Sequence, residues 1–296
     1  MQFTEPVMRP PSEAHSLLLR ATQGCSYNDC HFCYVSRNHP FMAATVEQFE
    51  EEAASRKDAF PEDTPVYLVG ANPFVLPAAR LRDYIAVLRR HYPRFSRLSM
   101  QSRIMDIPGK TDEELAELRR LGLSHLYIGT ENGHDGVLKL FNKGNTAADA
   151  VGQLLRLDRA GIRYTLFYVL GLGGRGMGRA CALATAAMFN QVHPELITTT
   201  GMTIFENTPL ADMVREGTFV EAGEREKIEE LRLFLQELTV DTRYDGIHYL
   251  NPLNYRFSNS DAEEKARVLA DIDEVLATCS DEELELMVSR GQMRSL

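Results

Sequence analysis

Nowhere in the 296-residue chain does an apolar run approach the ~20 residues of a membrane-spanning helix. No membrane-spanning helix is expected in this sequence. The opening stretch, MQFTEPVMRPPSEAH, has no apolar segment behind a basic start, so no secretory signal is expected and the chain is read as cytoplasmic. Positive charge is also in deficit: 32 Lys and Arg stand against 42 Asp and Glu, a formal net charge of −10. That sign repels polyanions and disfavours an extended nucleic-acid footprint. Low-complexity tracts, heptad arrays, Gly/Ser-rich linkers and a P-loop are missing too. Cysteine is scarce, at five residues. In a reducing compartment those few thiols do not form a disulfide scaffold.

What is present is ordinary globular composition, 44% apolar and 25% charged. Along the chain a strand-like run is repeatedly followed by a helix-like one. Strands are expected at 16–22, 66–70, 95–101, 124–129, 162–170 and 196–205, and helices at 46–57, 78–91, 111–121, 134–141, 146–160 and 179–192. Thr111 is a natural cap for TDEELAELRRLG, with acids early, arginines late and Gly122 past the end. Six β-then-α units predict a parallel sheet or barrel built from right-handed crossovers. After about Thr208 the pattern changes to helices near 225–241, 261–278 and 281–290 around an aromatic, Asn-rich loop at 244–257. The expected organisation is an α/β barrel over 1–207 with a helical C-terminal extension over 208–296.

The five cysteines are unevenly spread. Cys181 and Cys279 are isolated, whereas Cys25, Cys30 and Cys33 share the segment TQGCSYNDCHFC, a C-x4-C-x2-C spacing. Ligand sites in parallel sheets gather at the carboxyl ends of strands, and this loop follows the first strand. Soft thiolates in a tight loop suit iron–sulfur or zinc coordination. Zinc would need His31 or His39 as a fourth ligand. A plant-type two-iron cluster has the same spacing but needs a fourth cysteine, and the next here is Cys181, inside an expected helix. Three unrelated buried cysteines are the remaining reading. Three thiolates on a four-iron cluster leave one iron open to a small molecule, which turns an electron-transfer centre into a catalytic one.

The ordered motifs resemble the radical S-adenosylmethionine (radical SAM) superfamily. They are PPSEAHSLLLRATQGCSYNDCHFC at 10–33, VYLVGANPFVLP at 66–77, LYIGTENGHDGVLKLFNKG at 126–144, VLGLGG at 169–174, ENTPL at 206–210 and HYLN at 248–251. Within it they are similar to the branch that includes oxygen-independent coproporphyrinogen oxidases, methylthiotransferases and the Elongator catalytic subunit. The usual superfamily spacing is C-x3-C-x2-C, so the extra residue is a departure that this branch often shares.

The resemblance implies a partial (βα)6 TIM-like barrel, with Cys25, Cys30 and Cys33 holding an oxygen-sensitive [4Fe–4S] cluster whose open iron binds S-adenosylmethionine. It implies cofactor contacts from Gly70, Ala71 and Asn72 toward the methionine amine, although Ala71-Asn72-Pro73 departs from the acidic residues common there. Arg103 would face the methionine carboxylate, suited to it by its guanidinium. Glu131 would face the methionine or ribose part, Leu170 and Gly171 would approach through backbone, and Gly201, Met202 and Thr203 would edge the adenine.

The reaction so implied is reductive cleavage to a 5′-deoxyadenosyl radical that takes hydrogen from a substrate, with an external one-electron donor such as flavodoxin or ferredoxin. The acidic charge and the lack of a second cysteine set favour a small-molecule substrate by elimination. His248, Asn251 and Tyr255 are the substrate-side candidates. Two other readings are transfer of a methyl or aminocarboxypropyl group by non-standard cleavage, and a non-catalytic iron–sulfur or metal carrier.

Overall fold

A computed structural model of the chain describes residues 7–37 and 39–288. The first six residues of the opening stretch, and Ser289 and Arg290 of the last expected helix, lie outside that range. In chain order the elements are β1 (Leu17–Arg20), β2 (Thr22–Gln23), β3 (Met42–Ala43), α1 (Val46–Ser55), β4 (Val66–Val69), α2 (Ala78–His91), β5 (Leu98–Arg103), α3 (Asp112–Leu121), β6 (Leu123–Glu131), α4 (Asp135–Leu140), α5 (Ala147–Ala160), β7 (Arg163–Leu170), α6 (Gly178–Phe189), β8 (Leu196–Gly201), α7 (Pro209–Arg215), α8 (Glu224–Glu237), β9 (Arg243–Asp245), β10 (Arg256–Ser258), α9 (Ala262–Thr278) and α10 (Asp281–Leu286). The fold is α/β around a mainly parallel eight-stranded sheet, in the order β1-β4-β5-β6-β7-β8-β9-β10. Strand order following chain order is what repeated right-handed βα crossovers generate.

The chain divides into two compact units, 1–28 with 35–129 and 156–164, and 29–34 with 130–155 and 165–296. In the first, β1, β4 and β5 pair in parallel, as does β5 with β6. All four residues of β4 are buried, as expected of a strand covered on both faces. Helix α1 starts with a reciprocal cap between Thr45 and Gln48, and α3 with one between Thr111 and Glu114. Phe49 of α1 stacks on Tyr84 of α2 at 4.2 Å. Glu13 is fully buried before β1 and accepts from Arg97 and Ser99 at 2.8 Å, from Tyr127 at 2.6 Å and from the Ser16 hydroxyl. Burial raises its carboxyl, and these four donors outweigh that and hold it below the usual range.

In the second unit β7 and β8 pair in parallel, as do β8 and β9, and β10 returns antiparallel to β9. At the ends of the loop expected over 244–257 the structure has two short strands, β9 and β10, which flank residues 246–255 and extend the sheet. Each strand is three residues with one buried aromatic, Tyr244 or Phe257, too short for alternation to register in the sequence. The strand expected over 196–205 stops at Gly201. No helix among the described residues is long and apolar enough to cross a membrane.

Candidate functional site

The cysteine loop leaves through β2 and returns through β3, with Thr22 opposite Ala43 and Gln23 opposite Met42. Gly24, just before Cys25, has φ +70, and a Cβ there would sit 2.6 Å from the His39 carbonyl oxygen. Only glycine fits so close an approach in that conformation. Beyond β4, Gly70 and Ala71 are half-buried and Asn72 is completely buried. The Asn72 side-chain carbonyl accepts from the Ser26 N–H at 3.1 Å. Its amide donates to Ser26 Oγ at 2.7 Å and to both Asp106 oxygens at 3.1 Å. Asp106 also accepts from the Arg103 N–H at 2.8 Å. Burial holds the Asp106 carboxyl above its ordinary range despite those donors. The Arg103 guanidinium lies over the Tyr27 ring, 3.8 Å from its centroid. Asn72 and Arg103 thus both engage the turn that follows Cys25.

In the second unit the Cys33 N–H donates to the Cys30 carbonyl at 3.2 Å and closes the turn between those cysteines. His31 between them is tied down three ways. Its N–H donates to the Phe141 carbonyl at 3.0 Å, its carbonyl accepts from the Leu210 N–H at 3.1 Å, and its Nδ1 meets the Leu140 carbonyl at 2.9 Å. Phe32 packs edge-on against Phe141, beside a buried apolar cluster that includes Leu172 and Met202.

Cys25, Cys30 and Cys33 are partly exposed and outside any disulfide, whereas Cys181 is buried. Burial and the nearby Glu230 push the Cys181 thiol up to about 12. Because the thiolate is the ligand form, Cys181 makes a poor fourth ligand. Among the described residues no group of three or more His, Cys, Asp and Glu is arranged to hold a metal ion. Three thiols within nine residues are the donor chemistry that a four-iron cluster takes, each thiolate on its own iron with one iron left open.

Glu131 ends β6 with φ +64, a strained region for a non-glycine residue. Its carboxylate meets Lys143 Nζ at 3.0 Å, and that ammonium lies 5.9 Å from the Phe32 ring centroid. Lys143 was not singled out in the sequence, although it stands in the FNKG end of a quoted motif.

After β7 the glycine-rich stretch turns its amides inward. Gly171 N–H donates to Glu230 at 2.9 Å, Gly174 to the Gly171 carbonyl at 3.0 Å, Arg175 to the Val220 carbonyl at 2.8 Å and Met177 to the Gly174 carbonyl at 3.2 Å. Gly176 and Gly178 donate to Glu226 at 2.7 and 3.1 Å, and the Gly173 N–H faces the Cys181 sulfur. With its donors so engaged, the loop is not built as a phosphate cradle. Gly171 has φ +78, and a Cβ on it would meet Lys227 Cε at 2.8 Å.

Glu230 is buried and also accepts from the Tyr168 hydroxyl. Burial pushes its carboxyl up to about 7, against the donors Tyr168 and Gly171. The fold therefore prefers the neutral acid. Its contribution to stability is greatest below the unfolded value of about 4.3 and is lost as pH rises through about 7. Glu230→Gln removes that titration. The gap between the unfolding midpoints of Glu230→Gln and the parent should widen in the variant's favour from about pH 5 to about pH 7.5. A gap independent of pH would assign the titration elsewhere.

At the end of β8 the structure brings together Gly201, His248 and Asn251. Asn251 is buried, accepts from the Gly201 N–H at 2.7 Å, and donates to the Thr199 and Gly246 carbonyls at 2.9 and 2.7 Å. His248 Nδ1 accepts from the Leu250 N–H at 3.2 Å and lies 3.3 Å from the Thr200 hydroxyl. Asn251 binds the 246–255 loop to β8. Tyr255 stands at the stem of that loop, where its carbonyl accepts from the Gly246 N–H at 2.8 Å. Met202 is buried and its N–H donates to the Leu170 carbonyl at 2.8 Å, and Thr203 beside it is buried.

A parallel βα sheet with three thiols on the loop after its first strand defines a class. The family description "Radical SAM superfamily" matches residues 19–175, more than half of the chain, and the protein belongs to that superfamily. It is a radical SAM enzyme, with a [4Fe–4S] cluster and S-adenosylmethionine as its cofactors. By sequence no curated protein matches.

Among solved structures it is similar to the cobalamin-dependent S-adenosylmethionine radical enzyme OxsB with aqua-cobalamin and S-adenosylmethionine bound. The TM-score is 0.59 at 14% identity, over 75% of this chain and 41% of that one. Methylornithine synthase (PylB) is similar with TM-score 0.52 and 14% identity, over 92% of this chain and 85% of that one. The Elp3 of the archaeon Methanocaldococcus infernus gives TM-score 0.51 and 13% identity, over 89% and 64%. The chain spans well under half the length of OxsB. At these identities the likeness is one of fold.

Proposed function

We propose that the enzyme cleaves S-adenosylmethionine reductively and uses the product to take hydrogen from a small-molecule substrate. The observation that carries this reading is the anchored loop with three accessible thiols directly after the first strand pair, while Cys181 is closed off. Cys25, Cys30 and Cys33 are assigned to the cluster. When bound, the cluster supplies the electron that splits the sulfonium into methionine and a 5′-deoxyadenosyl radical.

The chain's own residues position and exclude water. Asn72 holds the turn after Cys25 through Ser26, and Arg103 offers its guanidinium to the methionine carboxylate. Glu131 and Lys143 present a matched ion pair toward the methionine or ribose part. Leu170 and Gly171 approach through backbone, and Gly201, Met202 and Thr203 border the adenine. Gly70 and Ala71 contribute backbone on the methionine side. His248 and Tyr255 are assigned to the substrate side, and Asn251 holds their loop.

The C-x4-C-x2-C spacing supports the branch of coproporphyrinogen oxidases, methylthiotransferases and the Elongator catalytic subunit. The domain boundary is placed at 207/208, with a flavodoxin- or ferredoxin-like donor and a cytoplasmic setting. Anaerobic reconstitution, followed by product analysis with S-adenosylmethionine and a strong reductant, tests the reaction. 5′-Deoxyadenosine is expected. Methylthioadenosine in its place would overturn the proposal in favour of aminocarboxypropyl transfer.

A further inference from the structure

Two glutamates of α8 grip opposite ends of the glycine-rich stretch 171–178. Glu230 accepts from Gly171, the first residue past β7, and from the Tyr168 hydroxyl. Glu226 accepts from Gly176 and from Gly178, the first residue of α6. Four residues apart, the two carboxylates share one face of α8. Close approach is built in, because a Cβ on Gly178 would meet Glu226 Cγ at 3.1 Å and Glu230 Cβ at 3.3 Å.

Packing alone does not account for acids at these positions. Glu230 is 1% exposed. The lysine one turn away, Lys227, bonds to Glu221 and Glu224 at 3.0 and 2.9 Å. Facing Glu230 are Tyr168 from β7, Cys181 from α6, and Glu226 and Lys227 on its own helix. The carboxylates that α9 and the start of α10 offer to α8, Asp273 and Asp281, pair instead with Arg232 and Arg225. A buried acid without its own cation is costly unless its lone pairs are used. Here they are used on loop amides that would otherwise be orphaned.

We propose that Glu226 and Glu230 are positioning residues for S-adenosylmethionine, holding the 170–178 backbone in its binding-competent form without touching the cofactor. This rests on the assignment of Leu170 and Gly171 to the cofactor. The physical need is clear from the composition of the loop, with glycine at 171, 173, 174, 176 and 178. So many glycines leave an unclamped backbone with many accessible states. The apparent affinity of a ligand falls in proportion to the competent fraction.

The test uses reconstituted protein, with amide hydrogen exchange of 171–178 read without S-adenosylmethionine and then equilibrium binding of S-adenosylmethionine. In Glu226→Ala and Glu230→Ala, exchange should quicken and binding weaken by about 10-fold or more. Glu226→Gln and Glu230→Gln, which keep an acceptor, should stay within a few-fold of the parent. The half-buried Glu226 keeps the test open if Glu230→Ala fails to fold. Unchanged exchange in the alanine variants overturns the proposal, and so does faster exchange with unchanged affinity. A parent protein that binds no S-adenosylmethionine defeats the underlying cofactor assignment, a failure seen before any variant is made.

Discussion

Alanine at any one of Cys25, Cys30 or Cys33 is expected to leave a chain with little cluster iron and no cleavage of S-adenosylmethionine above background. Each thiolate is assigned to a different iron, so no neighbour can take over the vacated position. The loss should exceed the about 10–100-fold typical of substitutions around, rather than at, a metal ligand. Cys181→Ala is the matched comparison. Its thiol is buried and held protonated, pushed up to about 12 by burial and Glu230, so this variant should keep its iron. Iron and sulfide content after anaerobic reconstitution, together with product analysis, reads both expectations. Normal iron in the three loop variants, or equal loss in Cys181→Ala, would reject the ligand assignment.

The largest loss of stability is expected at Lys227. Its ammonium and the Glu224 carboxylate are each 2% exposed and stand 2.9 Å apart, with Glu221 at 3.0 Å. Removing one partner of a buried pair strands the other, at a cost of about 3–5 kcal/mol. For a chain of this size, Lys227→Ala should lower the unfolding midpoint by on the order of 10 °C. The lysine stem also packs on Gly171, so lost contact contributes. Pairing Lys227→Met with Glu224→Leu separates the two causes, since it restores volume and removes both fully buried charges, leaving only the partly exposed Glu221. That double variant should recover most of the loss in thermal unfolding monitored by circular dichroism. A midpoint unchanged in Lys227→Ala would show that the pair adds nothing.

Local chemistry made much of the fold legible in advance. The caps at Thr45 and Thr111 act within three residues of themselves, and α2 spans the range its periodicity indicates. The short strands β9 and β10 were less legible, because three-residue segments carry no usable alternation. Asn72 shows the same limit at the site. Its sequence neighbours point toward a cofactor, while its side chain reaches Ser26, 46 residues earlier. Asn251, read as a substrate-side residue, has its side chain on the backbone of β8 and Gly246.

The cysteine loop could be read from chain order because its three thiols lie within nine residues and follow the first strand. Spacing on that scale is a property of the local backbone, and so is the βα alternation that makes the sheet parallel. The roles of Glu13, Glu226 and Glu230 are of another kind. Glu13 meets Tyr127 across 114 residues, and Glu230 meets Gly171 across 59. In the sequence those glutamates are three more acids in a chain of net charge −10. Whether an acid is a solvated surface group or a buried acceptor depends on which amides and hydroxyls the folded chain sets against it, and that is a matter of tertiary packing.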